Sequence, residues 1–271
     1  MTRVTRLAVL AGLALSASLS GCGTASRPVP VPSRSPSLEV AAATPLDELK
    51  AYKQEAYRQM GIDQAQQAKL KALVRQEFKG LDLSALKADY QKFATLMEAP
   101  TVDVQASNAL LGTIEGRYRD LAAKMADVEA KVHGMLSDEQ RKKALGVLAD
   151  APSRLDPLVQ KWRAEAYAAM LEGVTLTPQQ QAGLQQLQQQ DQAKGTARLN
   201  AVIQADSRYY RDMDKLALTA AFQDAVGVNA GREAIAWATT LDQAQRKKMV
   251  ANAKRYTERI LAQFKAMLQA D

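Results

Sequence analysis

The two side chains best suited to covalent or metal chemistry, Cys22 and His133, each occur once in this 271-residue chain. With a single histidine and a single cysteine no His–Cys or His–His zinc cluster can be built, and no Ser-His-Asp arrangement is marked in the sequence. Carboxylate pairs such as Asp138-Glu139 are adjacent in sequence, so they leave a helix on different sides and read as first-turn acids matched to the helix dipole. No glycine-rich phosphate loop is present. The chain is therefore expected not to be an enzyme and to carry neither cofactor nor metal. One chemistry remains, at the thiol of Cys22. It follows Arg3 and Arg6, an apolar run from Leu7 to Leu19, and the small residues Ser20 and Gly21. An apolar run that short reads as a secretory signal rather than a membrane span.

Four short stretches must position whatever else the chain does. Leu136-Ser137-Asp138-Glu139-Gln140-Arg141-Lys142-Lys143 recurs as Leu241-Asp242-Gln243-Ala244-Gln245-Arg246-Lys247-Lys248. Two looser relatives are Ile62-Asp63-Gln64-Ala65-Gln66 and Leu176-Thr177-Pro178-Gln179-Gln180. Each has an aliphatic residue, then Ser, Thr or Asp, two variable positions, then Gln. This is capping-box spacing: the second residue accepts from the N3 amide and the Gln side chain returns to the cap amide. Each motif should start a helix, with Pro178 at the first helical position. Eight residues beyond each aliphatic residue stands another apolar one: Leu70, Ala144, Leu184 and Met249.

Composition agrees with helices. Apolar residues make up 47% of the chain and aromatic ones 5%, and Ala, Leu, Gln, Lys, Arg and Glu dominate. The expected fold class is all-α. Residues 1–21 form the signal peptide. Residues 22–44, rich in Pro, Ser and Ala, read as a tether averaging about 26 Å when flexible and approaching about 70 Å as polyproline II. Two parallel helical units follow, 45–152 and 153–271. Leu49, Tyr52, Ala56 and Met60 are echoed by Val159, Trp162, Ala166 and Met170, and Glu55-Ala56-Tyr57 matches Glu165-Ala166-Tyr167. Pro152 is expected to close the first unit, and a new helix to open at Asp156-Pro157. Removing residues 1–21 lowers the formal charge from +7 to +5 by loss of Arg3 and Arg6. For an exported chain this basic balance favours anionic lipid, wall polymer or acidic unfolded protein over nucleic acid.

Leu19-Ser20-Gly21-Cys22 resembles the lipobox of bacterial lipoproteins. That resemblance implies cleavage before Cys22, lipidation of its thiol and a membrane anchor, on the periplasmic face of the outer membrane if the cell is Gram-negative. The paired motifs resemble those of the Spy/CpxP family, which carries two Leu-Thr-x-x-Gln motifs per subunit and associates into a thin curved cradle. Leu136-Ser137-x-x-Gln140 and Leu176-Thr177-x-x-Gln180 match closely; Ile62-Asp63-x-x-Gln66 and Leu241-Asp242-x-x-Gln245 depart at one or two positions. The resemblance implies a fused pseudo-dimer, monomeric or dimerising further. It also implies an ATP-independent holdase for unfolded envelope proteins, or a non-catalytic envelope-stress regulatory module docking on one partner such as a sensor domain; the alternative from the basic charge is a structural lipoprotein contacting anionic lipid or cell wall. Arg141, Lys142, Lys143, Arg246, Lys247, Lys248 and Trp237 are candidate contacts for clients or lipid.

Overall fold

The computed structural model describes residues 45–79, 84–225 and 229–269. The signal peptide, Cys22 and the tether lie outside these residues. The described chain forms nine α-helices and no strand. In order they are α1 Pro45–Met60, α2 Gln64–Phe78, α3 Ser84–Glu98, α4 Val104–Gly134, α5 Asp138–Met170, α6 Pro178–Asp212, α7 Lys215–Ala225, α8 Asn229–Ala238 and α9 Gln243–Gln269. The all-α reading holds.

All four motifs start helices. Asp63, Ser137 and Thr177 are the N-caps of α2, α5 and α6, and Asp242 accepts from the Gln245 amide at the start of α9. Full capping boxes stand at Ser137 and Thr177. The apolar residues eight positions on face inward: Leu70, Ala144 and Leu184 are buried and Met249 is half-buried.

The expected stop at Pro152 does not occur. α5 runs unbroken for 33 residues through Pro152 and Pro157. Each internal proline removes one helical hydrogen bond and costs about 3 kcal/mol. Against this, the inward stripe continues on both sides of the prolines through Ala144, Leu148, Ala151, Leu155, Leu158, Val159 and Trp162, all buried. Burying each of the larger side chains contributes roughly 1.5–3 kcal/mol, enough to hold the helix continuous. The boundary between 152 and 153 therefore falls inside one helix.

Packing also crosses that boundary. α1 and α9 both lie on α5; α9 reaches α3, and α4 packs against α7 and α8 as well as α3. One core cluster extends from Leu49 to Ala238, and a smaller one gathers Tyr167, Met170, Leu184, Leu187, Ala234, Trp237 and Leu241. Helix lengths do not repeat either: α2 has 15 residues where α6, after the corresponding motif, has 35. Met60, Met97, Met125 and Met170 are core residues.

Candidate functional site: two glutamine clasps

The four motifs meet in pairs, 62–66 with 136–140 and 176–180 with 241–245. In the second pair Gln180 Nε2 donates to Gln245 Oε1 and Gln245 Nε2 donates to Gln180 Oε1, both at 3.1 Å. Gln180 Nε2 also reaches the Thr240 carbonyl, and Gln245 Nε2 the Thr175 carbonyl, each at 2.6 Å. Those carbonyls stand immediately before the aliphatic residue of the opposite motif. The Oε1 atoms meanwhile accept from the Thr177 and Asp242 amides at 2.9 and 2.8 Å. Each glutamine thus caps its own helix and closes the turn before the other.

The first pair keeps the same amide-to-amide pairing, with the backbone bonds made by Gln140 alone. Gln140 Nε2 donates to Gln66 Oε1 at 2.7 Å and to the Gly61 carbonyl at 3.1 Å, and Gln66 Nε2 returns to Gln140 Oε1 at 3.1 Å. Gln66 makes no bond back to the Asp63 amide comparable to Gln140's bond to Ser137. Both turns use glycine where the chain is left-handed, Gly61 with φ +68° and Gly173 with φ +64°. Lys143 Nζ lies 3.9 Å and Lys248 Nζ 3.0 Å from where a Cβ on the respective glycine would sit. A cation is favourable there, at the C-terminal ends of α1 and α5.

The basic triplets divide by position. Arg246 is buried and donates to the carbonyls of Met97, Ala99, Pro100 and Leu241, tying α9 to the C-terminal end of α3. Trp237 is buried too; its indole N–H donates to the Gln180 carbonyl at 2.9 Å and its ring lies against Gly183. As candidate client or lipid contacts these two are corrected: neither reaches the surface. Arg141, half-buried, donates to the Leu136 carbonyl at 2.7 Å and pairs with Asp138. Lys142, Lys143, Lys247 and Lys248 remain exposed. Lys143 pairs with Glu139 at 2.6 Å, and this hydrogen bond holds the Glu139 carboxyl below its ordinary pKa.

One buried polar pair escaped the sequence reading, and the lone histidine that it names is buried. Arg163 and Asp191 face each other between α5 and α6 at 3.7 Å, both nearly enclosed, and Arg163 Nη1 donates to the Asp191 carbonyl at 3.0 Å. The guanidinium occupies the space over Gly195, where a Cβ would lie 1.7 Å from Nη2. Burial raises the Asp191 pKa, opposed by Arg163. A glycine within the helical pattern of α6 was the available signal. That histidine, His133, stands edge-on to Tyr209 and Tyr210 at 5.2 and 4.8 Å, with Tyr210 donating to buried Glu129 at 3.1 Å.

A cleft of about 480 Å³ lies between α1 and α5, lined by Glu48, Ala51, Tyr52, Glu55, Arg154, Pro157, Leu158 and Lys161. Its charges are largely engaged: Lys161 pairs with Glu48, and hydrogen bonds from Arg58 and Gln59 pull the Glu55 pKa down to about 2. Among the described residues no three His, Cys, Asp or Glu gather as metal ligands, and no helix is long and apolar enough to cross a membrane. Exposed large apolar side chains among them are Val104, Met135, Met213 and Leu216.

Comparison with protein-family models, curated proteins and solved structures finds no match to the chain.

Proposed function

We propose that this is a lipid-anchored, non-catalytic envelope protein that holds unfolded envelope proteins without ATP. The observation that supports the reading best is the doubled clasp. Two motif pairs resembling those of Spy/CpxP proteins each close through a reciprocal glutamine amide pair, and these glutamines are committed to joining helices rather than to a reaction. The lysines beside each clasp leave a cationic surface suited to acidic stretches of unfolded chain. The mature chain carrying Cys22→Ser is expected to suppress light scattering by two unrelated unfolded clients at near-equimolar ratio. Reversing Lys142, Lys143, Lys247 and Lys248 to Glu weakens that suppression. Absence of suppression for both clients refutes the holdase.

One observation favours a second reading. So few large apolar side chains are exposed among the described residues that a folded partner, bound by charge and shape, is the natural rival. It predicts a single saturable partner in envelope crosslinking and no general effect on aggregation.

A further inference from the structure

The scarcity of exposed apolar surface raises the question of where an unfolded chain would bind. We propose that α2 is a detachable cover, and that the strip it leaves on α4, with its own inner face, receives apolar segments of unfolded polypeptide flanked by acidic residues. The inference rests on the holdase reading and names its site.

The argument starts from how lightly α2 is held. Of its fifteen residues only Leu70 and Val74 are fully buried, with Leu73 and Phe78 half-buried against the core. Its counterpart behind the other clasp, α6, is buried at intervals from Gln180 to Tyr210. α2 packs chiefly on α4, in a register set by Glu77 against Lys131 at 2.6 Å and by Lys124 over the Phe78 ring at 5.5 Å. Val128, fully buried, lies between those two lysines on α4. The N-terminal end of α2 is latched by the Gln66–Gln140 amide pair, and Gly61, the left-handed glycine joining it to α1, lets that end move away once the latch opens. Helices with few buried side chains and a polar latch open at lower free energy than the rest of a fold.

Swinging α2 away uncovers Leu70, Leu73, Val74 and Phe78 on one side and the α4 strip around Val128 on the other. Lys124 and Lys131 lose Phe78 and Glu77 and become a cationic rim. An apolar strip edged by cations fits an apolar segment with acidic flanks and disfavours basic ones.

Two measurements test this. In the Cys22→Ser chain, Gln66→Cys and Gln140→Cys are joined by a short bis-maleimide and compared with the same variant capped by a mono-maleimide. The joined form is expected to need at least about tenfold more protein for equal suppression, and equal activity of the two forms overturns the cover. Native-state hydrogen exchange on the unmodified sequence follows α2 against α4 and α6. Exchange of α2 amides about 100-fold faster than those of α4 supports the cover, and equal protection overturns it. If neither maleimide form suppresses aggregation while the Cys22→Ser parent does, the cover is overturned at its latch. If the parent is also inactive, the holdase reading fails, and exchange alone decides whether α2 opens.

Discussion

Gly195→Ala is the substitution for which the structure predicts the sharpest departure from local rules. In an ordinary helix interior the change would stabilise by roughly 1 kcal/mol, because glycine is the poorer helix former. At this position the new Cβ would lie 1.7, 1.9 and 2.0 Å from Nη2, Nη1 and Cζ of Arg163. The guanidinium must leave. It then gives up its bond to the Asp191 carbonyl and its pairing with a carboxylate whose side chain is itself 6% exposed. Breaking a buried pair on one side costs about 3–5 kcal/mol. Net destabilisation of about 2–4 kcal/mol follows, a fall in Tm of roughly 4–16 °C for a domain of this size. Thermal melts followed by circular dichroism measure it. Gly112→Ala and Gly116→Ala on α4 are matched controls, since both sites are exposed with nothing within 4 Å of the added carbon. Each should stabilise by up to about 1 kcal/mol. A Gly195→Ala protein as stable as those controls would refute the account of the buried pair. Adding Arg163→Met and Asp191→Leu to Gly195→Ala should restore most of the loss, because no charge is then left buried alone.

The other expectations concern the clasps, the buried arginine and pH. Gln180→Ala and Gln245→Ala should each cost about 1–3 kcal/mol by orphaning backbone groups, and urea titrations should show the double variant costing less than their sum. Arg246→Met strips three carbonyls at the end of α3 and should destabilise by about 2–4 kcal/mol, whereas Arg141→Met, with a half-exposed side chain, should cost less than about 1.5 kcal/mol. The His133 pKa is lowered, first by burial and then by Arg141, with Glu129 opposing. The folded state therefore binds fewer protons than the unfolded one between the lowered value and about 6.5. Stability from this residue is complete above that window and is lost as pH falls through it. Denaturation at stepped pH should show the slope, and His133→Gln should flatten it.

The sequence yielded the helix starts because a capping box is local: four residues suffice for Asp63, Ser137, Thr177 and Asp242 to declare themselves. It misled at Pro152, where a local breaker competed with an apolar stripe that becomes decisive only once α1, α6 and α9 cover both sides of α5. Arg246 was misread for a related reason. A cation in the second turn of a helix looks solvated until the end of α3, nearly 150 residues earlier, is placed beneath it. Arg163 and Asp191 lie 28 residues apart on different helices, so no spacing rule joins them. The clasps fall between these cases, since each glutamine's role at its own cap is legible and its reach to the opposite turn is not.

The continuity of α5 has a metric consequence. At 1.5 Å per residue its 33 residues measure about 50 Å along the axis. Clasp one sits at its first turn, and clasp two begins a few residues past its last. The helix is thus a ruler fixing the interval between the two welded corners. An extended chain touching both would need about 15 residues at 3.3 Å each. Under the proposed holdase reading, a client shorter than that would reach the lysines beside one corner and not both, so avidity is expected only above that length.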